Sequence, residues 1–163
     1  MKMGQGVEWS IHCCALLGVL PAGRSLRLEK IAEYYDLPVP YLRKQFQALS
    51  RAGIVQTNTG PLGGYRLARP NDEISLLDIY LALEGDEPCF RCTEIRQQGP
   101  AAKGDCSYAT PCSIASSMWK AEAAWRNELK KVSITQVIKD ARPHIDEARM
   151  ARSQKWLEEA LLE

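Results

Sequence analysis

Apolar positions at helical spacing run through most of the chain and predict a series of helices broken once by a β-prone stretch. The segment EWSIHCCALLGVL, from Glu8 to Leu20, reads as a mostly buried helix ended by Pro21 and Gly23. In LEKIAEYYD, Leu28, Ile31, Ala32 and Tyr35 recur at helical spacing, and Asp36-Leu37-Pro38 breaks the run. A third helix is predicted from about Val39 to Ala52, with Leu42, Phe46 and Leu49 as its core stripe. Proline suits its first turn, where the amides have no intrahelical partner, and Gly53 stops it. Two helices joined by a tight turn are the helix-turn-helix outline. Ile54-Val55-Gln56-Thr57 and Tyr65-Arg66-Leu67 are β-prone and flank the turn TGPLGG, a hairpin in the position of a wing. Ser75-Leu76-Leu77-Asp78 opens a fourth helix reaching about Glu84.

Residues 85–112 hold three glycines, three prolines and four cysteines, a loop that a metal site orders more readily than a core does. A long helix follows from Ser113 to about Val132. Its Ile114, Met118, Ala121, Ala124 or Trp125, and Leu129 form a heptad-like stripe suited to a partner helix. Ser133 to Ile138 is a short helix, and the tail from Lys139 is amphipathic around Trp156, Leu157, Leu161 and Leu162. The predicted architecture is mainly α with a small β wing: a winged helix-turn-helix domain plus a long dimerisation helix. Its parts are a DNA-binding domain (1–84), a cysteine-rich loop (85–112), a dimerisation helix with a short following helix (113–138) and a C-terminal helical tail (139–163).

Composition narrows the setting. Among 163 residues, 45% are hydrophobic and 25% charged, ordinary globular usage for one compact domain or a small domain with an appendage. No apolar run approaches the ~18 residues of a membrane span, and the opening stretch lacks a signal-peptide pattern. The expected setting is therefore cytoplasmic, without a membrane partner. The net charge of +1 hides an asymmetry. Residues 1–70 carry nine Lys/Arg against four acids, a balance of +5, which leaves −4 for the remainder. A basic first half suggests an anionic partner.

In a winged helix-turn-helix the recognition helix enters the major groove through its first turns. The outward positions there are Pro40, Tyr41, Arg43, Lys44 and Gln47. Arg, Lys and Gln pair with base edges, and Arg and Lys also neutralise phosphates. The wing adds Gly63 and Gly64, which let the backbone come close to the DNA, with Tyr65 and Arg66 on its flank. Double-stranded DNA bearing a pseudo-palindromic operator, read by a homodimer, is the expected partner. No nucleophile with a positioned base and no phosphate loop is present, and the chain has only two histidines, so an enzyme is not expected.

Cys89, Cys92, Cys106 and Cys112 crowd one loop, and three readings of them are open. They are free thiols, or a structural zinc site, for which Cys106-x5-Cys112 is wide, or the thiolates of an iron–sulfur cluster. Cys13 and Cys14 lie on the apolar first helix as small core residues. Glu8 and His12, four residues apart, share one face of that helix with Cβ atoms about 5–6 Å apart.

The wing GPLGGYRLARP, the segment SLLDIYLALEG and the Cys106-x5-Cys112 pair resemble the Rrf-type winged-helix regulators, a family that includes iron–sulfur and nitric-oxide sensors. The resemblance spans about residues 1–138. The pieces GVEW, HCC, QALSRAG, FRCTEIRQQGP and AEAAWR are most similar to a redox-sensing member of the family. That resemblance implies a 2Fe–2S cluster at the dimer interface, bound by Glu8 and His12 of one chain and Cys106 and Cys112 of its mate. Cys92 is then a possible third thiolate, Cys89 has no assigned role, and Trp9 is a candidate for passing the cluster state to the DNA reader. The implied function is a transcriptional regulator whose operator affinity follows the cluster's presence or redox state. The alternative is a regulator of the same fold switched by thiols or stabilised by zinc. Two positions depart from the family pattern. Thr59 stands where a minor-groove arginine is expected, and Arg43 replaces an acid in the recognition helix, so the operator sequence is not carried over.

Overall fold

The structure is a computed structural model that describes residues 3–60, 63–100, 102 and 108–162. Helix α1 spans Gln5–Gly18, three residues earlier at its start than the sequence pattern suggests. Val7, Ser10, Cys13, Cys14, Leu16 and Leu17 are buried, while Glu8 and His12 face outward. The buried positions fall on one helical stripe, which makes α1 the spine of the core. Burial pushes the Cys13 thiol up to about 12 and raises Cys14 as well. Both stay protonated and behave as small apolar side chains.

Helix α2 spans Leu28–Tyr35 and ends at Asp36, which adopts the left-handed conformation (φ 52°). Asp is one of the few non-glycine residues that visit that region, because its short polar side chain can hydrogen-bond locally. Helix α3 spans Val39–Arg51, with Leu42, Phe46 and Leu49 fully buried against the body. Strands β1 (Val55–Asn58) and β2 (Gly64–Leu67) pair antiparallel, from Val55 opposite Leu67 to Asn58 opposite Gly64. Leu26, just ahead of α2, bridges to Tyr65 and gives the wing a third short edge. The architecture is mainly helical with a two-stranded wing, as the sequence pattern predicts.

Helix α4 (Leu76–Glu84) begins with a capping box. The Ser75 hydroxyl accepts from the Asp78 amide and the Asp78 carboxylate accepts from the Ser75 amide. Such boxes satisfy two orphan amides reciprocally. Helix α5 (Ser113–Lys131) packs on α4 through Trp125, whose ring meets Tyr80 edge to face at 5.1 Å. Ala115 is buried, while the large apolar residues Ile114, Met118 and Trp119 of this helix are exposed. Helix α6 (Ile134–Ala141) returns to α1. Ile134 is fully buried, its amide donates to the Ile74 carbonyl at 2.9 Å, and Leu76 donates to the Val132 carbonyl at 2.9 Å. Helix α7 (Glu147–Ala160) lies along α2, where Trp156, Leu157, Ala160 and Leu161 pack against the core. No helix among the described residues is long and apolar enough to cross a membrane.

Candidate functional site

The candidate reading face follows from burial of the opposite side of α3. Because Leu42, Phe46 and Leu49 face inward, Pro40, Tyr41, Arg43, Lys44 and Gln47 are left exposed on the opposite side of α3. Arg43 is held loosely: Nη2 lies 3.1 Å from Glu29 Oε1, and both side chains are more than half exposed. A pair this wet contributes about 0–1 kcal/mol, so it yields readily to a phosphate or a base edge.

The wing is fixed by close backbone approach. A Cβ at Gly64 would lie 2.6 Å from the carbonyl carbon and oxygen of Leu26, and one at Gly63 would lie 2.6 Å from the Asn58 oxygen. Glycine is therefore needed at both positions for packing reasons. Tyr65 is tied from both sides. Its backbone exchanges hydrogen bonds with Leu26 at 3.0 and 2.8 Å, and its ring meets Phe46 edge to face at 4.8 Å. It anchors the wing to α3, while Arg66 stands opposite Gln56 on the ladder.

Helix α1 touches the reader directly. The Trp9 ring meets Tyr41 of α3 edge to face, with centroids 5.2 Å apart. One turn earlier, a Cβ at Gly6 would lie 3.0 Å from Tyr41 Oη and 2.8 Å from Gln45 Nε2, so the two helices are in close contact there. On its outer face α1 presents Glu8 and His12. Glu8 makes no hydrogen bond or ion pair among the described residues. The His12 ring lies 5.7 Å from Tyr35, whose hydroxyl donates to the His12 carbonyl at 3.0 Å. Burial raises the Tyr35 phenol, which keeps it a donor.

The cysteine loop is organised by residues that carry no sulfur. Arg96 donates to Glu94 Oε2 through Nε (3.0 Å) and Nη2 (2.7 Å), donates to the Thr110 carbonyl at 3.1 Å and covers the Tyr108 ring at 4.2 Å. Tyr108 in turn donates to the Arg96 carbonyl at 2.8 Å. Glu94 adopts the left-handed conformation (φ 47°) and accepts from Cys92 Sγ at 3.4 Å and from the Cys112 amide. Arg96 holds the Glu94 carboxylate below its usual range. The clasp thus brings the Cys92 and Cys112 segments together.

Cys112 is the N-cap residue of α5. The amides of Ala115 and Ile114, then Arg96, pull its thiol below the ordinary value. Amides at a helix start stabilise a thiolate, the form that binds metals. Cys89 is exposed, with its amide donating to Glu122 at 3.0 Å and its sulfur 3.9 Å from Tyr80 Oη. Cys106 lies outside the described residues. Among the described residues of one chain, no three His, Cys, Asp or Glu side chains converge as metal donors.

Sequence reasoning missed Glu94, Arg96 and Tyr108. The only signal was an acid and a base two and four residues after Cys92 in CTEIR, and the spacing alone does not show that they face the distant Cys112.

Residues 3–140 match the family model of Rrf2, described as an iron-dependent transcriptional regulator. The chain belongs to the Rrf2 family. Among its relatives, the HTH-type transcriptional regulator IscR of Cereibacter sphaeroides is 32% identical over 97 residues, covering 60% of this chain and 59% of the relative. Protein aau3 of Rhizobium meliloti is 34% identical over 120 residues, covering 74% and 73%. Among solved structures, T. potens IscR superposes with a TM-score of 0.67 at 24% identity, covering 93% of this chain and 96% of that one. The oxidized form of Staphylococcus aureus CymR gives 0.62 at 23% identity, covering 85% and 96%. These two likenesses establish the shared fold. By its family, the Rrf2 chain is a DNA-binding transcriptional regulator.

Proposed function

We propose that this regulator's operator affinity is set by a 2Fe–2S cluster shared between two copies of the chain. Glu8 and His12 of one copy and Cys106 and Cys112 of the other would hold it. The observation that carries this reading is the placement of helix α1. Its outer face offers a carboxylate without a partner among the described residues and an imidazole, and its next side chain, Trp9, rests on Tyr41 of the recognition helix.

The donor set fits the group. Thiolates bind iron–sulfur clusters, and replacing two of them by oxygen and nitrogen ligands raises the reduction potential. When bound, the cluster supplies a one-electron couple accessible without its loss. Cys112 already sits where helix amides favour its thiolate. Tyr35 holds the His12 carbonyl and faces its ring, which limits how far that end of α1 can shift. A homodimer is required, and the exposed Ile114, Met118 and Trp119 on α5 are the apolar surface that serves it.

The deciding experiment is the visible absorption of anaerobically purified protein with iron, sulfide and zinc analysis. Equal iron and sulfide with charge-transfer bands support the cluster, and colourless protein containing zinc refutes it. Shared ligation has its own test. Glu8→Ala/His12→Ala protein and Cys106→Ala/Cys112→Ala protein each lack the cluster, but mixed dimers regain one of the two sites. Failure to regain any iron would exclude ligation across subunits.

Trp9→Ala is expected to keep the cluster and lose its effect on DNA. Coupling between two sites spans roughly 5–150-fold in affinity, and the ratio between oxidised and reduced protein should fall toward one. A full ratio in the variant would remove Trp9 from the pathway.

A second reading rests on Cys112. Its amide donors and Arg96 would equally favour a reactive thiol. In that case the purified protein holds neither iron nor zinc, and peroxide treatment alters DNA binding unless Cys112 is replaced.

A further inference from the structure

Helix α7 lies beyond the part of the chain that matches the family model, and it is docked by specific contacts. Ser153 Oγ is 2.5 Å from Tyr34 Oη, and Trp156 Nε1 donates to Glu33 Oε1 at 3.2 Å. The Trp156 and Tyr34 rings meet edge to face at 5.0 Å, and Arg24 donates to the Leu161 carbonyl. Read in order, these contacts run antiparallel to α2, so α7 ends beside the start of α2. There it forms one wall of a cleft of about 640 Å3 between the α2 approach and the wing. Arg24, Ser25 and Arg27 line one side, Asn58 and Thr59 another, and Leu161 closes it. No acidic side chain lines it among the described residues.

With α3 in the major groove and the wing in the minor groove, the strand between them crosses the region joining α2 to the wing. Two arginines, hydroxyls and an amide there match the chemistry of sugar–phosphate contacts. Yet Arg24 is already engaged by Leu161. The C-terminal end of α7 also carries the negative end of the helix dipole, with Glu158 and Glu159 in its last turn.

We propose that this cleft seats the DNA sugar–phosphate backbone and that α7 is its built-in competitor, occupying Arg24 and setting a negative helix end at the rim. The inference rests on the DNA-binding reading but not on the cluster. It makes the tail a brake on sequence-independent affinity, which leaves discrimination to the bases read by α3.

The test uses the full chain and a fluorescent mixed-sequence duplex about three turns long, because backbone contacts need no operator. Affinity is measured between ~50 and ~200 mM salt. Ser153→Ala/Trp156→Ala, with α7 release confirmed by hydrogen exchange over residues 147–160, should bind roughly 3–10-fold tighter. Its log–log salt slope should steepen by about one, the signature of one added phosphate contact. Adding Arg24→Ala should abolish the gain. Glu158→Gln/Glu159→Gln, which leaves α7 docked, should tighten binding about twofold by reducing repulsion.

Unchanged or weaker binding on release, or a gain that survives Arg24→Ala, overturns the proposal. If α7 stays docked in the first variant, the glutamine pair decides, and unchanged affinity there overturns it. A wild-type chain that binds no duplex at low salt instead refutes the DNA-binding reading itself.

Discussion

Gly64→Ala should unseat the wing and destabilise the chain. The new Cβ would stand 2.6 Å from the Leu26 carbonyl carbon and oxygen and 2.9 Å from the Arg27 amide. All three are backbone atoms, so no side-chain rotation relieves the clash. The Leu26–Tyr65 pair must open, and with it the contact of Tyr65 on Phe46. Overpacking of this kind costs about 1–3 kcal/mol and sometimes more. For a chain of this length each kcal/mol lowers Tm by about 2–4 °C. DNA affinity should fall by roughly tenfold or more, since the tilted wing no longer meets the duplex while α3 engages the major groove. Thermal melting and duplex titration check both parts. Gly53→Ala is the matched comparison. Nothing lies within 4 Å of its Cβ, so it should show the milder loss of a left-handed glycine (φ 67°) and keep normal DNA affinity. Equal behaviour of the two variants would contradict the close-approach account.

The second large effect is on recognition. Arg43→Ala/Lys44→Ala should lower duplex affinity by roughly 10- to 100-fold with little change in stability. Both side chains are exposed, and the ion pair that Arg43 gives up is the wet one to Glu29. The salt slope separates their roles. If either residue neutralises a phosphate, its removal lowers the slope by about one. If it reads a base edge instead, the slope stays and the sequence preference relaxes. Retained affinity with an unchanged slope would move the reading face away from the first turns of α3.

These expectations differ in how far they could be read from the chain. The exposed face of α3 was legible because Leu42, Phe46 and Leu49 recur at helical spacing and leave Arg43, Lys44 and Gln47 on the other side. The wing was legible from its glycines between two β-prone stretches, although the reason for Gly64 was not, since Leu26 lies 38 residues earlier. The cysteine loop was legible only as a cluster of sulfur. That Glu94 and Arg96 clasp it depends on a left-handed backbone at Glu94 and on the return of Thr110, neither of which follows from a local pattern. The tail was recognisably amphipathic, but amphipathic helices carry no address.

Local periodicity and turn chemistry therefore specify the helices, the wing and the sidedness of each element, because these depend on neighbours within a few residues. Meeting partners is a different matter. Trp9 on Tyr41, Arg96 between Glu94 and Thr110, and α7 on α2 with Arg24 held at its end arise when segments distant in the chain share a common core. Those contacts join helix α1, the helix-turn-helix, the cysteine loop and the tail, and packing settled them by choosing which of several compatible surfaces each helix covers.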